Sequence, residues 1–188
     1  MLKLLRDRPG SEVVWVVFSA NGQRKREAKE SAKIFLGHAG SSTIITKAFR
    51  ESFFPYDGKP IKDYFEHLKS IIDPDLIFTH YRQDAHQDHR LISELTWNTF
   101  RSHQIFEYEI PKYDGDLGQP NMFIPLTEAV CKEKVRHIIN GFVTQHGRTW
   151  FTEDTFYAFL RLRGMESGAS EKYAEAFYGR KIVLGVEV

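Results

Sequence analysis

The sequence predicts an α/β fold, an open and mostly parallel sheet with helices on both faces, and three observations carry that expectation. Apolar, β-branched runs alternate with segments of helical spacing, in the order strand, helix, strand, helix, strand, helix as far as Phe100. Such alternation needs crossover connections, which make neighbouring strands parallel. The strongest run, Val13-Val14-Trp15-Val16-Val17-Phe18, is continuously apolar, as a strand covered on both faces should be. Third, the densest polar cluster lies where a strand ends and a helix begins, the edge at which open parallel sheets bind ligands.

In chain order, Leu2, Leu4 and Leu5 read as the last turns of a helix stopped by Pro9-Gly10. Glu12 to Ala20 is the first strand. Asn21-Gly22 turns it into a helix from about Arg24 to Leu36, with Ala28, Ala32, Phe35 and Leu36 on one face and Gly37 as its end. Thr43 to Phe49 predicts a second strand, interrupted by Lys47. After the loop Phe53 to Gly58, an amphipathic helix is marked by Ile61, Tyr64, Phe65, Leu68, Ile71 and Ile72. Asp75 to Thr79, following Asp73-Pro74, is a buried strand; Leu91, Ile92, Leu95, Thr96 and Phe100 then have helical spacing. Ile105 to Ile110 predicts a strand leading into a turn-rich loop, Pro111 to Gly118. Asn121 to Ile124 is a short strand, Thr127 caps a helix reaching Phe142, and another helix runs from near Thr152 to Arg163 with a stop at Gly164. Tyr173 to Phe177 reads as a short helical piece and Lys181 to Leu184 as a final strand. Residues 1–188 are expected to form a single domain.

Composition excludes several function classes. With 41% hydrophobic and 14% aromatic residues the chain has material for a real core and is not a disordered segment. A net charge of +1 provides no basic field for nucleic acid, and the one compact basic run, Arg24-Lys25-Arg26, is balanced by Glu27 and Glu30. The only cysteine, Cys131, rules out a disulfide within the chain and a cysteine-based zinc site. The longest apolar run is too short to span a bilayer and the N-terminus has no secretory core, so a cytoplasmic location is expected.

The segment Thr79 to Arg90 places three histidines, two aspartates and two arginines in twelve residues. Asp88 reads as the N-cap of the following helix, with His89 in its first turn. A helix N-terminus disfavours the imidazolium, so His89 is expected to stay neutral and able to coordinate a metal. His86 lies three residues away, close enough to face the same cavity, and Asp84 and Asp88 are each able to orient an imidazole. The same spacing also reads as a helix cap on a solvated surface. Further on, Arg161, Arg163 and Glu166 beside Gly164 read as a helix C-terminus with favourable cations.

The segment Asp84-x-His86-x-Asp88-His89-Arg90, entered by a strand through Thr79-His80, resembles the second metal motif of the PIG-L/LmbE-like zinc-dependent N-acetyl-sugar deacetylases. The resemblance continues through Tyr108-Glu109-Ile110-Pro111, Trp150-Phe151, Arg161 to Glu166 and Tyr173 to Phe177, and so covers most of the chain. It implies a Rossmann-like fold and removal of an N-acetyl group from an amino-sugar derivative, of the bacterial polysaccharide or glycoconjugate type. It also implies zinc, with His89 as a metal ligand, His86 as the oxyanion donor and Asp88 or Asp84 holding a histidine in its tautomer. Arg163 and Glu166 would lie near the sugar, with Tyr113 and Lys112 as further substrate-binding candidates.

The family's first motif, Ala-His-Pro-Asp-Asp, has no counterpart in the sequence. That motif supplies two zinc ligands and the general base, so the chain is expected to be an N-terminally shortened member lacking the family's first strand. A catalytic zinc wants about three protein ligands and a water, and only His89 carries over. Two rival readings follow: a non-catalytic carbohydrate-binding remnant of the fold, and a metal-dependent phosphoesterase. The latter is disfavoured by the lack of a phosphate-cradling glycine-rich loop.

Overall fold

The computed structural model describes residues 1–182. Its elements in order are α1 (Leu2–Asp7), β1 (Glu12–Val17), α2 (Gly22–Phe35), β2 (Ser41–Thr46), α3 (Gly58–Ile71), β3 (Leu76–His80), α4 (Gln87–Thr99), β4 (Gln104–Tyr108), β5 (Met122–Leu126), α5 (Glu128–Gly141), α6 (Glu153–Ser167) and β6 (Tyr173–Gly179). The alternation of strands and helices predicted from the sequence is therefore present, and β1 pairs with β2, and β3 with β4, in parallel. Most boundaries differ from expectation by a few residues. The chain divides into two compact units, Met1–Phe49 with Ile124–Glu175, and Arg50–Phe123 with Ala176 onward.

In the first unit, β1 and β2 run in register with Trp15 opposite Ile44. β1 is less covered than its composition predicts: β2 is its one neighbouring strand among the described residues, and Val14 stays 40% exposed. The core is built by Leu126, Cys131 and Val135 with Phe151, Phe156 and Leu160, the last three brought in by α6 and the turn before it. Burial pushes the Cys131 thiol up to about 11, so it packs as a small apolar side chain rather than as a nucleophile.

Helix α6 corrects one expectation. Gly164 is not its stop but an interior position, and the helix continues to Ser167 and closes on Gly168 at φ +62, the left-handed cap that glycine favours. A glycine stands at 164 because the chain returns against it: a Cβ there would lie 2.1 Å from the carbonyl oxygen of Lys172. Thr152 caps the other end, its side chain accepting from the Thr155 N–H at 3.3 Å.

Lys134 of α5 binds the Glu175 carboxylate. Burial opposes ionisation of Glu175, but the Lys134 ammonium outweighs it and brings the carboxyl down to about 2. A carboxyl whose folded pKa lies below its unfolded value of ~4.3 contributes stability above that value and loses it as pH falls through the folded pKa. Lys134→Met should therefore lose less stability than the parent chain between roughly pH 4.5 and 2, measured as urea midpoints across that range.

In the second unit, β4 is paired on one side with β3 and on the other with β6, which runs antiparallel with Glu107 opposite Tyr178. The strand order is β3-β4-β6-β5, and the division of the chain falls within β5 and β6. β6 is the second correction, since Tyr173 to Phe177 was expected to be helical. Its burial follows a period of two at the start, with Ala174 and Ala176 buried and Tyr173 and Glu175 only partly covered, before the strand becomes enclosed. The final strand expected over Lys181 to Leu184 falls partly outside the described residues; Lys181 and Ile182 themselves are not in a strand.

Candidate active site

The site forms in the second unit, where β3 ends at His80 and the turn Tyr81 to Ala85 leads into α4. Helix α4 begins two residues earlier than a cap at Asp88 implies. Its N-cap is His86, whose Nδ1 accepts the Asp88 backbone N–H at 3.3 Å. That bond fixes chemistry as well as structure. A neutral imidazole whose Nδ1 accepts must carry its proton on Nε2, so His86 offers an Nε2–H donor.

His89 is arranged in the opposite sense. Its Nδ1 lies 3.0 Å from Asp84 Oδ2. Asp84 is only 2% exposed. Burial opposes its ionisation, but the hydrogen bond from His89, the His86 backbone N–H at 2.8 Å and the Lys112 ammonium at 3.2 Å together bring its carboxyl down to about 2. The carboxylate can only accept, so His89 donates from Nδ1 and leaves the Nε2 lone pair for a proton or a metal ion. Two adjacent imidazoles, with centroids 4.6 Å apart, thus present one donor and one acceptor.

Of the two aspartates expected to hold an imidazole, Asp84 contacts His89 and Asp88 does not. Both carboxylate oxygens of Asp88 are taken by backbone, Oδ2 by the Ser52 N–H at 2.6 Å and Oδ1 by the Phe54 N–H at 3.1 Å. Asp88 therefore anchors the loop before α3, where Ser52 adopts φ +67. Lys112, a substrate-binding candidate on sequence, is spent on Asp84 and Asp116. Its neighbour Tyr113 is 67% exposed. Arg163 and Glu166, in the other unit, bind each other along α6, with the Arg163 guanidinium 5.4 Å over the Phe159 ring.

Several members of the site were given no role on sequence. His80 stacks flat on His89, with centroids 4.1 Å apart and planes 1° from parallel. Burial pushes its pKa well down, so the ring is neutral; its Nδ1 is buried without a hydrogen-bond partner. Tyr108 lies opposite His80 in the β3–β4 register, its hydroxyl 3.5 Å from His80 Nε2. Beneath the turn, the fully buried Glu107 accepts from the Arg82 N–H at 2.9 Å and from Trp97 Nε1 at 2.6 Å. The clue for His80 and Tyr108 was positional: both end neighbouring strands at the ligand-binding edge. No local pattern marks Glu107.

With this geometry in hand, the comparisons are specific. Residues 8–100 match the family model described as PIG-L: GlcNAc-PI de-N-acetylase, and the matched segment contains β1 to β3 and the whole Thr79–Arg90 cluster. The fold is shared with solved structures of low sequence identity. The conserved protein TT1542 from Thermus thermophilus superposes with a TM-score of 0.67 at 17% identity, over 98% of this chain and 89% of that one. A triple-mutant deacetylase of the teicoplanin biosynthetic pathway gives 0.68 at 13% identity, over 94% of this chain and 88% of that one. GalB, the 4-carboxy-2-hydroxymuconate hydratase from Pseudomonas putida, gives 0.62 at 13% identity, over 100% and 91%. No curated protein matches the sequence. No described helix is long and apolar enough to cross a membrane.

The zinc implied by the family can be tested against the donors. Among the described residues, no group of three or more His, Cys, Asp or Glu side chains is placed to hold a metal ion. The reason is geometric. A ligating nitrogen points its lone pair in the ring plane at an ion about 2.1 Å away. The parallel, stacked rings of His80 and His89 aim their lone pairs along separate planes, and His86 Nδ1 already accepts a backbone hydrogen bond. His89 Nε2 alone is oriented as a ligand, and a single donor does not make a zinc cage.

Proposed function

We propose that this site hydrolyses the N-acetyl group of an amino-sugar derivative, as the family of the matched segment does. The observation that supports it is the pair of complementary tautomers, with the Asp84-held His89 offering a base and His86 offering a donor. In this reading the His89 Nε2 lone pair takes a proton from water as its oxygen attacks the acetamide carbonyl. His86 Nε2–H donates to the oxyanion that develops and Asp84 orients His89 throughout; as the intermediate collapses the C–N bond breaks, and His89 passes the proton taken from water to the leaving amine nitrogen, releasing acetate and the free amine. The exposed Tyr113 beside the turn supplies an aromatic face for the sugar. Zinc would bring Lewis-acid polarisation of the carbonyl, but it requires donors beyond His89, and no step above is routed through it.

The test is acetate release from N-acetylglucosamine-bearing glycosides and glycolipids, with zinc supplied. Replacing His86 by glutamine should lower kcat by roughly 10²–10³, the value of one oxyanion donor, with little change in KM. An unaltered kcat in that variant contradicts the assignment. One observation favours the second reading, a non-catalytic carbohydrate-binding domain: the incomplete set of metal donors. Glycan binding with no acetate released under any metal condition would establish it instead.

A further inference from the structure

The loop after β4 carries two charged side chains that the proposed chemistry does not use, Lys112 and Asp116. Asp116 Oδ2 accepts the Ala85 backbone N–H at 2.6 Å and also binds the Lys112 ammonium. Lys112 in turn reaches Asp84 Oδ1 at 3.2 Å, and the side chains of both loop residues are only 11% exposed. The geometry points to Lys112 and Asp116 as positioning residues that fix the tautomers of His86 and His89 through the turn Asp84-Ala85-His86. Its catalytic consequence rests on the hydrolytic reading; its structural content does not.

Three features set this arrangement apart from an ordinary surface ion pair. The pair is tied to backbone: Asp116 holds Ala85, and Asp84 Oδ1, which Lys112 contacts, also accepts from the His86 N–H. The loop is shaped to bring the two together, since Gly115 takes φ +62, the left-handed conformation that glycine favours, between them. The loop is also located independently. A Cβ on Gly118 would lie 2.4 Å from the Tyr178 hydroxyl and 2.8 Å from that of Tyr81, so the glycine rests against two rings stacked at 3.9 Å. With the loop seated there, Lys112 and Asp116 act as a brace against the turn rather than as contacts for a ligand. Deleting Lys112 leaves Asp84 Oδ1 with the His86 N–H alone and frees the carboxylate to turn away from His89.

The experiment uses histidine labelled with nitrogen-15 in the full chain and in Lys112→Met and Asp116→Asn, with Lys112→Arg as the charge-retaining control. Long-range proton–nitrogen spectra report which ring nitrogen of each histidine carries the proton. In both loss-of-charge variants the His86 and His89 signals should move to tautomer-averaged positions while that of His67, which packs on Tyr64, stays in place, and Lys112→Arg should restore the parent pattern. The kcat for acetate release should fall about tenfold or more with KM unchanged, as expected when an outer partner of a working histidine is lost. Parent nitrogen signals in both variants would overturn the inference, whatever the activity. Moved signals in a chain that releases no acetate would confirm the brace and sink the hydrolytic reading. If Asp116→Asn fails to fold, Lys112→Met, which breaks no backbone hydrogen bond, gives the decision alone.

Discussion

Gly164→Ala is expected to destabilise the chain by about 3 kcal/mol, the upper end of the usual cost of overpacking. The added methyl would sit 2.1 Å from the Lys172 carbonyl oxygen, 2.5 Å from its carbonyl carbon and 2.6 Å from the Tyr173 Cα. All three atoms belong to backbone, so no rotamer change relieves the contact. Either α6 or the entry to β6 must shift, and each is packed: Phe156 and Leu160 sit in the core on one side, and Ala174 is fully buried on the other. For a chain of this size, such a loss lowers the melting temperature by roughly 6–12 °C, read by circular dichroism. Gly168→Ala, strained by φ +62 but meeting nothing within 4 Å, should cost only about 1 kcal/mol. A reversed order of these two variants contradicts the close approach at 164.

Glu107→Ala is expected to cost about 3–5 kcal/mol, as breaking a buried charged network does. Glu107 is fully buried on β4, and its two oxygens accept from Trp97 Nε1 and the Arg82 N–H, with Arg180 3.6 Å away. Truncation leaves those donors unpaired and opens a cavity where the carboxylate was. Glu107→Gln keeps the volume, but its amide nitrogen must face a donor, so it should fall between the parent and the alanine variant. Because Arg82 opens the turn that carries Asp84 and His86, both variants should also lower the rate of acetate release. Equilibrium urea unfolding and a rate measurement on the same samples check both expectations. Full stability in Glu107→Ala would show that the buried carboxylate holds nothing.

The fold and the site were not equally legible. Strands β1 and β3 are continuous apolar runs, and α3 is a clear amphipathic helix, so their class followed from periodicity alone. β6 did not, because Tyr-Ala-Glu-Ala-Phe combines alanines and a glutamate that favour helices in isolation, and the place of the strand between β4 and β5 in the sheet overrides that preference. Gly164 misled for a related reason: a glycine at a helix end reads as a stop, whereas here it marks a close approach of backbone. Within the site, His86, His89 and Asp84 lie inside one strand-to-helix turn and could be found by spacing. Asp116 bonds Ala85 from 31 positions away, and Glu107 reaches Arg82 across 25, distances at which no sequence pattern survives. Which of Asp84 and Asp88 holds the imidazole was equally invisible, since both stand at suitable offsets and only the fold decides which carboxylate faces the ring.

Two neighbouring imidazoles are held in opposite tautomers: the Asp84 carboxylate accepts from His89 Nδ1 and keeps the proton there, while the Asp88 amide donates to His86 Nδ1 and leaves that ring's proton on Nε2. Long-range proton–nitrogen correlation on the parent chain near neutral pH reads this directly. The account predicts a bare Nε2 for His89 and a bare Nδ1 for His86, each as a single unaveraged pattern. Two rings with the same nitrogen protonated, or both averaging freely between tautomers, would contradict it.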